Sequence, residues 1–291
     1  VLLMSTRMPI LRQLFSGAPL IDPVTTRAVS AGLARVLREN VLNSAIFDTQ
    51  IAADLFWRGS KDTYMFADLG QVRPPYPKTF MEWEVPIGAV INGSPTPGLV
   101  GMRFGALLAE MDESYFRVAC FQLRADGSVC CWPTYSVYQI HSDGTPLDRT
   151  IVYDKASLSE DYAWRSDGIS ESITTPAVLA LGLINCKNVK TEESGRVTWR
   201  RSGRERRRGA APNSVRYNTI VLPGGGSVRE GRPGQQRMRA SALHRVRGHF
   251  KTYTDSAPLL GKHVGTYWWG WQVRGDLDNG AVVSDYRLAT S

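Results

Sequence analysis

Residues 243–253 read LHRVRGHFKTY and place Arg245, Arg247, His249, Lys251 and Tyr253 at every second position. A period of two is strand geometry, with alternate side chains on opposite faces. One face of such a strand carries three cations, an imidazole and a phenol. The other carries Val246, Gly248 and Phe250. A ladder of like charges repels itself unless something negative lies over it. Candidates are phosphates, an acidic partner, or Asp276, Asp278 and Asp285 on neighbouring strands. Over phosphates, Arg245, Arg247 and Lys251 line a groove and Tyr253 stacks on a base. His249 between cations is also the residue type that acid–base catalysis in a metal-independent nuclease requires, with the cations steadying the developing phosphorane charge. His244 lies on the opposite face of an unbroken strand, and a bulge at Gly248 brings the two histidines together.

Other chemistry-bearing residues give weaker signals. TYWWGW (266–271) puts Tyr267, Trp269 and Trp271 on one strand face and Trp268 on the other, as a stacking platform or as core filling. FMEWE (80–84) puts Glu82 and Glu84 on one face. No E-x-K follows to complete a nuclease pattern, so a solvent-facing edge is the better reading. PGGGS (223–227) lacks the Lys-Ser/Thr of a phosphate loop. Cys120, Cys130, Cys131 and Cys186 have no C-x-x-C spacing. They read as buried free thiols, with no metal site and no cofactor expected.

Charge is distributed unevenly. Residues 196–251 hold fourteen arginines and Lys251 against Glu205 and Glu230, a net +13 in a chain whose total is +8. The remainder is therefore mildly acidic. A concentrated basic block is the footprint of a polyanion binder. Arginine suits that role because its planar fork grips phosphate bidentately and stacks on bases. Arg204, Arg206, Arg207 and Arg208 are the expected backbone clamps. A solvated linker rich in arginine through codon bias is the alternative.

The elements that must position these groups follow from periodicity and turn signals. Residues 1–21 read as irregular, and 22–43 as a helix with Pro23 in its first turn and Val29, Leu33, Val36 and Leu37 at helical spacing. Five strands are expected at 79–85, 101–111, 115–125, 128–140 and 147–154. The short turns NGSPTPG, ADGS and SDGTP that separate them argue for an antiparallel meander. Residues 174–188 read as a buried helix. TEESGRVTWRRSGRERRRGAAPNS (191–214) reads as a basic arm or arginine-rich helix, 215–223 as a strand, 224–241 as a flexible insert and GDLDNG (275–280) as a hairpin turn. The expected fold is α+β. It comprises an antiparallel β-rich body with a few helices at 1–190, the basic arm at 191–214, and a small β-rich unit at 215–291.

RERRRGAAPNSVRYNTIVL, then LHRVRGHFKTYTDSAPLLGKHVGTYWWGWQVRG, together with PPYPKTFMEWE and LGLINCKNV, resembles an uncharacterised family of tailed-bacteriophage and prophage proteins. The matching positions are Arg204–Gly209, Pro212, Tyr217, Arg247–His249 and Tyr267–Trp269. Ala210, Ala211 and Asn213 depart from the family's more usual basic and apolar residues. The resemblance implies a viral origin and carries no established activity.

The expectation is a phage- or prophage-encoded protein that binds DNA or RNA with little sequence specificity, through the arm and the Arg245–Lys251 strand. The alternatives are a metal-independent nuclease using His249 with His244, and a non-enzymatic virion or host-takeover factor whose arm docks on an acidic protein. With no apolar run long enough to cross a bilayer and no signal-peptide core, a location in the host cytoplasm or the virion is expected.

Overall fold

A computed structural model of the chain describes residues 7–23, 26–57, 69–91, 94–153, 173–199, 213–223, 242–246, 248–270, 272–274 and 276–282. The fold is α+β, with four helices among these residues and a largely antiparallel sheet. It divides into two units, residues 1–186 with 190–221, and residues 187–189 with 222–291.

The first unit begins with α1 (Pro9–Ser16), β1 (Leu20–Ile21), α2 (Ala31–Leu42), β2 (Ala45–Asp48), α3 (Gln50–Trp57) and β3 (Lys78–Glu84). After the short pair β4 (Val90–Ile91) and β5 (Ser94–Pro95) come β6 (Arg103–Glu110), β7 (Tyr115–Leu123), β8 (Val129–Ile140) and β9 (Pro146–Tyr153). These four strands form the expected antiparallel meander. Helix α4 follows over residues 173–184, then β10 (Lys190–Trp199) and β11 (Asn213–Val221). The nine-stranded sheet runs β1-β8-β7-β6-β3-β2-β11-β10, with β9 on β8. Three adjacent strands, β11, β2 and β3, are parallel.

The centre of the sheet is covered because β3 and β6 are buried residue after residue, on both faces. Ile10, Leu11 and Leu14 of α1 and Ala34 and Val41 of α2 pack with Ile46, Phe80, Leu107, Phe121, Val197 and Tyr217 on one face. Helix α4 is buried along most of its length, and its Thr174 accepts from Tyr138 Oη at 2.7 Å. The four cysteines are free thiols, and burial pushes Cys120, Cys131 and Cys186 up to about 12. No helix among the described residues is long and apolar enough to cross a membrane.

Several expectations change. The segment expected to be irregular contains α1. The helix expected from residue 22 begins at Ala31, where Ser30 caps it by accepting from Leu33 N–H at 3.2 Å. Its inward stripe is buried Ala34 and Val41 with partly buried Leu37, while Leu33 and Val36 are exposed. The arm expected from 191 starts as a strand. In β10, Val197 enters the core and Trp199 stacks on Phe15 at 4.4 Å. A β-carbon on Gly195 would lie 2.9 Å from Tyr217 Oη, so only glycine lets that ring cross the strand. Strands β10 and β11 pair along their whole length, so the boundary expected at 214/215 lies at 221/222. Arg204, Arg206, Arg207 and Arg208 and the 224–241 insert lie outside the described residues.

The second unit holds β12 (Ala242–Val246), β13 (His249–Tyr253), β14 (Gly265–Trp269), β15 (Gln272–Arg274) and β16 (Asp276–Val282). A three-stranded sheet runs β15-β12-β16, and β13 and β14 form a separate antiparallel pair. Residues 276–280, expected as a turn, belong to β16, which runs parallel to β12.

Candidate nucleic-acid interface

The segment 243–253, read as one strand or as a strand bulged at Gly248, forms two strands in two sheets. The break has a local cause. Gly248 is buried, and a β-carbon there would lie 2.5 Å from Trp268 Cζ2 and 3.2 Å from the Trp269 carbonyl oxygen. The chain crosses under the indole where no side chain fits, and pairing with a new strand begins beyond it. Arg245 and His244 therefore belong to β12, while His249, Lys251 and Tyr253 belong to β13. His244 pairs with Arg274 and Val282 in backbone register. The single strand that was to carry both histidines is therefore divided between two sheets. Arg247 and the side chains of His244 and Arg245 lie outside the described residues.

What remains is a two-faced hairpin. Directly opposed residues share a face in an antiparallel pair. Phe250 lies opposite Trp268, and Thr252 opposite Thr266. Trp268 and Thr266 are each 2% exposed. The Phe250 and Trp268 rings meet edge to face at 4.9 Å, and the Thr252 and Thr266 hydroxyls are 2.9 Å apart. This is the packed face. On the other, His249 lies opposite Trp269 and Lys251 opposite Tyr267, followed by Tyr253 opposite Gly265. His249 and Lys251 are exposed, and Tyr253, Tyr267 and Trp269 half-buried. Lys251 Nζ sits 5.0 Å from the centre of the Tyr253 ring, within cation–π range. The Tyr253 and Tyr267 rings meet at 5.8 Å and 76°.

Residues 187 and 188 tie down the free edge of β14. Lys187 N–H donates to the Thr266 carbonyl at 2.9 Å. Asn188 Nδ2 donates to the Trp268 carbonyl at 2.7 Å, and its Oδ1 accepts from Trp268 N–H at 2.9 Å. The amide stands in for a strand neighbour. Asn188→Ala is expected to remove both hydrogen bonds and cost about 1–3 kcal/mol, read as faster amide exchange at Trp268 with little change in β6–β8.

A cleft lies in the first unit, beside the carboxyl ends of β11, β2 and β3. Its volume is about 690 Å³, and it is lined by Arg7, Asp48, Asp54, Glu82, Glu84 and Arg103, with other residues. Such strand ends are a common ligand position, but every carboxylate here already has a partner. Glu82 is 2% exposed and accepts from the N–H groups of Ile10 and Leu11 at 2.9 and 3.0 Å. Burial pushes its carboxyl up to about 7, against the pull of those two N–H groups and of Arg103. Glu84 pairs with Arg103 at 2.5 Å, Asp48 accepts from Gln50 N–H, and Asp54 from the Gln50 amide. The expectation of a solvent-facing Glu82/Glu84 edge is thus corrected, since Glu82 is the buried cap of α1. Among the described residues, no three His, Cys, Asp or Glu side chains are grouped to hold a metal.

The hairpin face thus brings together His249, Lys251 and Tyr253 from the expected set and adds Tyr267 and Trp269. The period-two spacing of TYWWGW already carried the signal for these two. Comparison of the chain with protein-family models, curated proteins and solved structures finds no match.

Proposed function

We propose that the chain is a phage- or prophage-encoded protein that binds nucleic acid with little sequence specificity. The observation that carries this reading is the outer face of the β13–β14 hairpin, where exposed Lys251 lies against half-buried Tyr253 beside Tyr267 and Trp269. Cations neutralise phosphates, and aromatic rings beside them receive bases. The net +13 of residues 196–251 supports the same partner. The nuclease alternative rests on His249 alone among the described side chains.

The test is fluorescence anisotropy with labelled single-stranded RNA, single-stranded DNA and duplex DNA across a salt series. Affinity is expected to fall linearly with salt on logarithmic axes. Lys251→Glu, or charge reversal of Arg245 and Arg247, is expected to make that slope shallower by about 0.7–0.9 for each phosphate the variant no longer neutralises. Absence of binding at low salt would sink the reading. Cleavage on a denaturing gel that disappears in His249→Ala would instead promote the nuclease.

A further inference from the structure

We infer that the β13–β14 hairpin is a stacking platform for unpaired bases, so that its ligand is single-stranded rather than duplex nucleic acid. This rests on the nucleic-acid reading above and names which form is taken. Four features carry it.

The first is the separation of faces. Trp268 and Phe250 fill the packed side, which leaves Tyr267 and Trp269 on the outer side without a role in that packing. The second is the orientation of the rings. Trp269 is half-buried with its indole N–H fully inside, so that edge of the ring is turned inward. Tyr253 and Tyr267 meet edge to face at 76°, so the contact occupies one face of one ring only. The third is spacing. Tyr267 and Trp269 are two residues apart on one strand face, about 6.8 Å. That is roughly twice the 3.4 Å advance per nucleotide of a duplex strand. Consecutive bases held one on each ring are therefore twice as far apart as in a helix and cannot stack on one another, which an extended strand with splayed bases permits. The fourth is the position of the charge. Lys251 lies directly opposite Tyr267 and over Tyr253, beside the platform. It can meet the phosphate of the nucleotide whose base lies on Tyr267, and Tyr253 holds it there. A duplex offers its phosphates to Lys251 but keeps its base faces stacked away from the rings.

The experiment uses the full chain and three probes of equal length: an oligothymidine, the same strand with abasic sites throughout, and a duplex. Intrinsic tryptophan fluorescence and anisotropy are recorded together. The oligothymidine is expected to quench the fluorescence and to bind more tightly than the abasic strand. Tyr267→Ala and Trp269→Ala are each expected to weaken oligothymidine binding roughly 5- to 150-fold, with little effect on the abasic strand. Tyr267→Phe, which keeps the ring, is expected to bind as the parent does. Equal affinity of the parent for oligothymidine and abasic strand overturns the inference while leaving the electrostatic reading intact. A duplex bound more tightly than the oligothymidine does the same. Failure of all three probes to bind at low salt removes both. The probe comparison uses the unaltered protein, so it decides the matter even if an alanine variant does not fold.

Discussion

Replacing Trp268 with alanine is expected to cost about 3–5 kcal/mol in the second unit, the range for deleting a large aromatic from a packed site. The indole is 2% exposed and meets the Phe250 ring at 4.9 Å. Gly248 passes so close that it has no room for a β-carbon. Trp268's own N–H and carbonyl are both held by Asn188. Alanine leaves a cavity beside Phe250 and Gly248, and β13 has no other partner strand among the described residues to hold it. Hydrogen exchange is the suitable measurement, because it reads the unit locally. Amides of His249–Tyr253 and Gly265–Trp269 are expected to lose protection, with those of β6, β7 and β8 unchanged. Retained protection at Phe250 would refute the central role given to Trp268. Gly248→Ala tests the same packing from the other side and is expected to cost about 1–3 kcal/mol through overpacking.

Raising the pH from 4.5 to about 7 is expected to remove about 3 kcal/mol of stability through Glu82 alone. The sign follows from the direction of the shift. Burial raises the folded carboxyl above its unfolded value, so the folded state holds the proton more tightly. Stability from this group is fully present below pH 4.5 and is lost as pH rises through about 7, with no further change above. Desolvation is the largest cause, and Asp48 adds to it. The N–H groups of Ile10 and Leu11 and the charge of Arg103 oppose it. Glu82→Gln keeps the size and one acceptor but cannot ionise. Its stability relative to the parent is therefore expected to rise by about 3 kcal/mol between pH 4.5 and 7. Urea midpoints of both proteins across this range measure the difference, in which every other titrating group cancels. A difference independent of pH would show that the two helix N–H groups, rather than burial, govern this carboxyl.

The meander was legible because each of its strands carries enough apolar residues, next to a short polar turn, to be read locally. Strands β6, β7, β8 and β9 lie within a few residues of their expected limits. Helix α1 was not legible for the opposite reason. Its N-cap position is Met8, at φ 60° and without a side-chain cap. The group that satisfies its first N–H groups is Glu82, 72 positions away. Strand β10 was obscured by the charge around it. A run rich in glutamate and arginine reads as a solvated arm until Val197 and Trp199 find the core and Phe15.

By itself the sequence determined the α+β class, the concentration of positive charge in 196–251, and the alternation that sets Tyr267 and Trp269 against Trp268. Each of these depends only on composition or on neighbours along one chain segment. Tertiary structure alone decided that residues 243–253 divide between two sheets, that Glu82 turns inward, and that Tyr267 comes to lie opposite Lys251 on the face that carries Tyr253. Those outcomes depend on which distant group fills a given volume. An indole over Gly248 or a helix end over Glu82 is a steric and electrostatic fact about packing, and nothing in residue spacing encodes it.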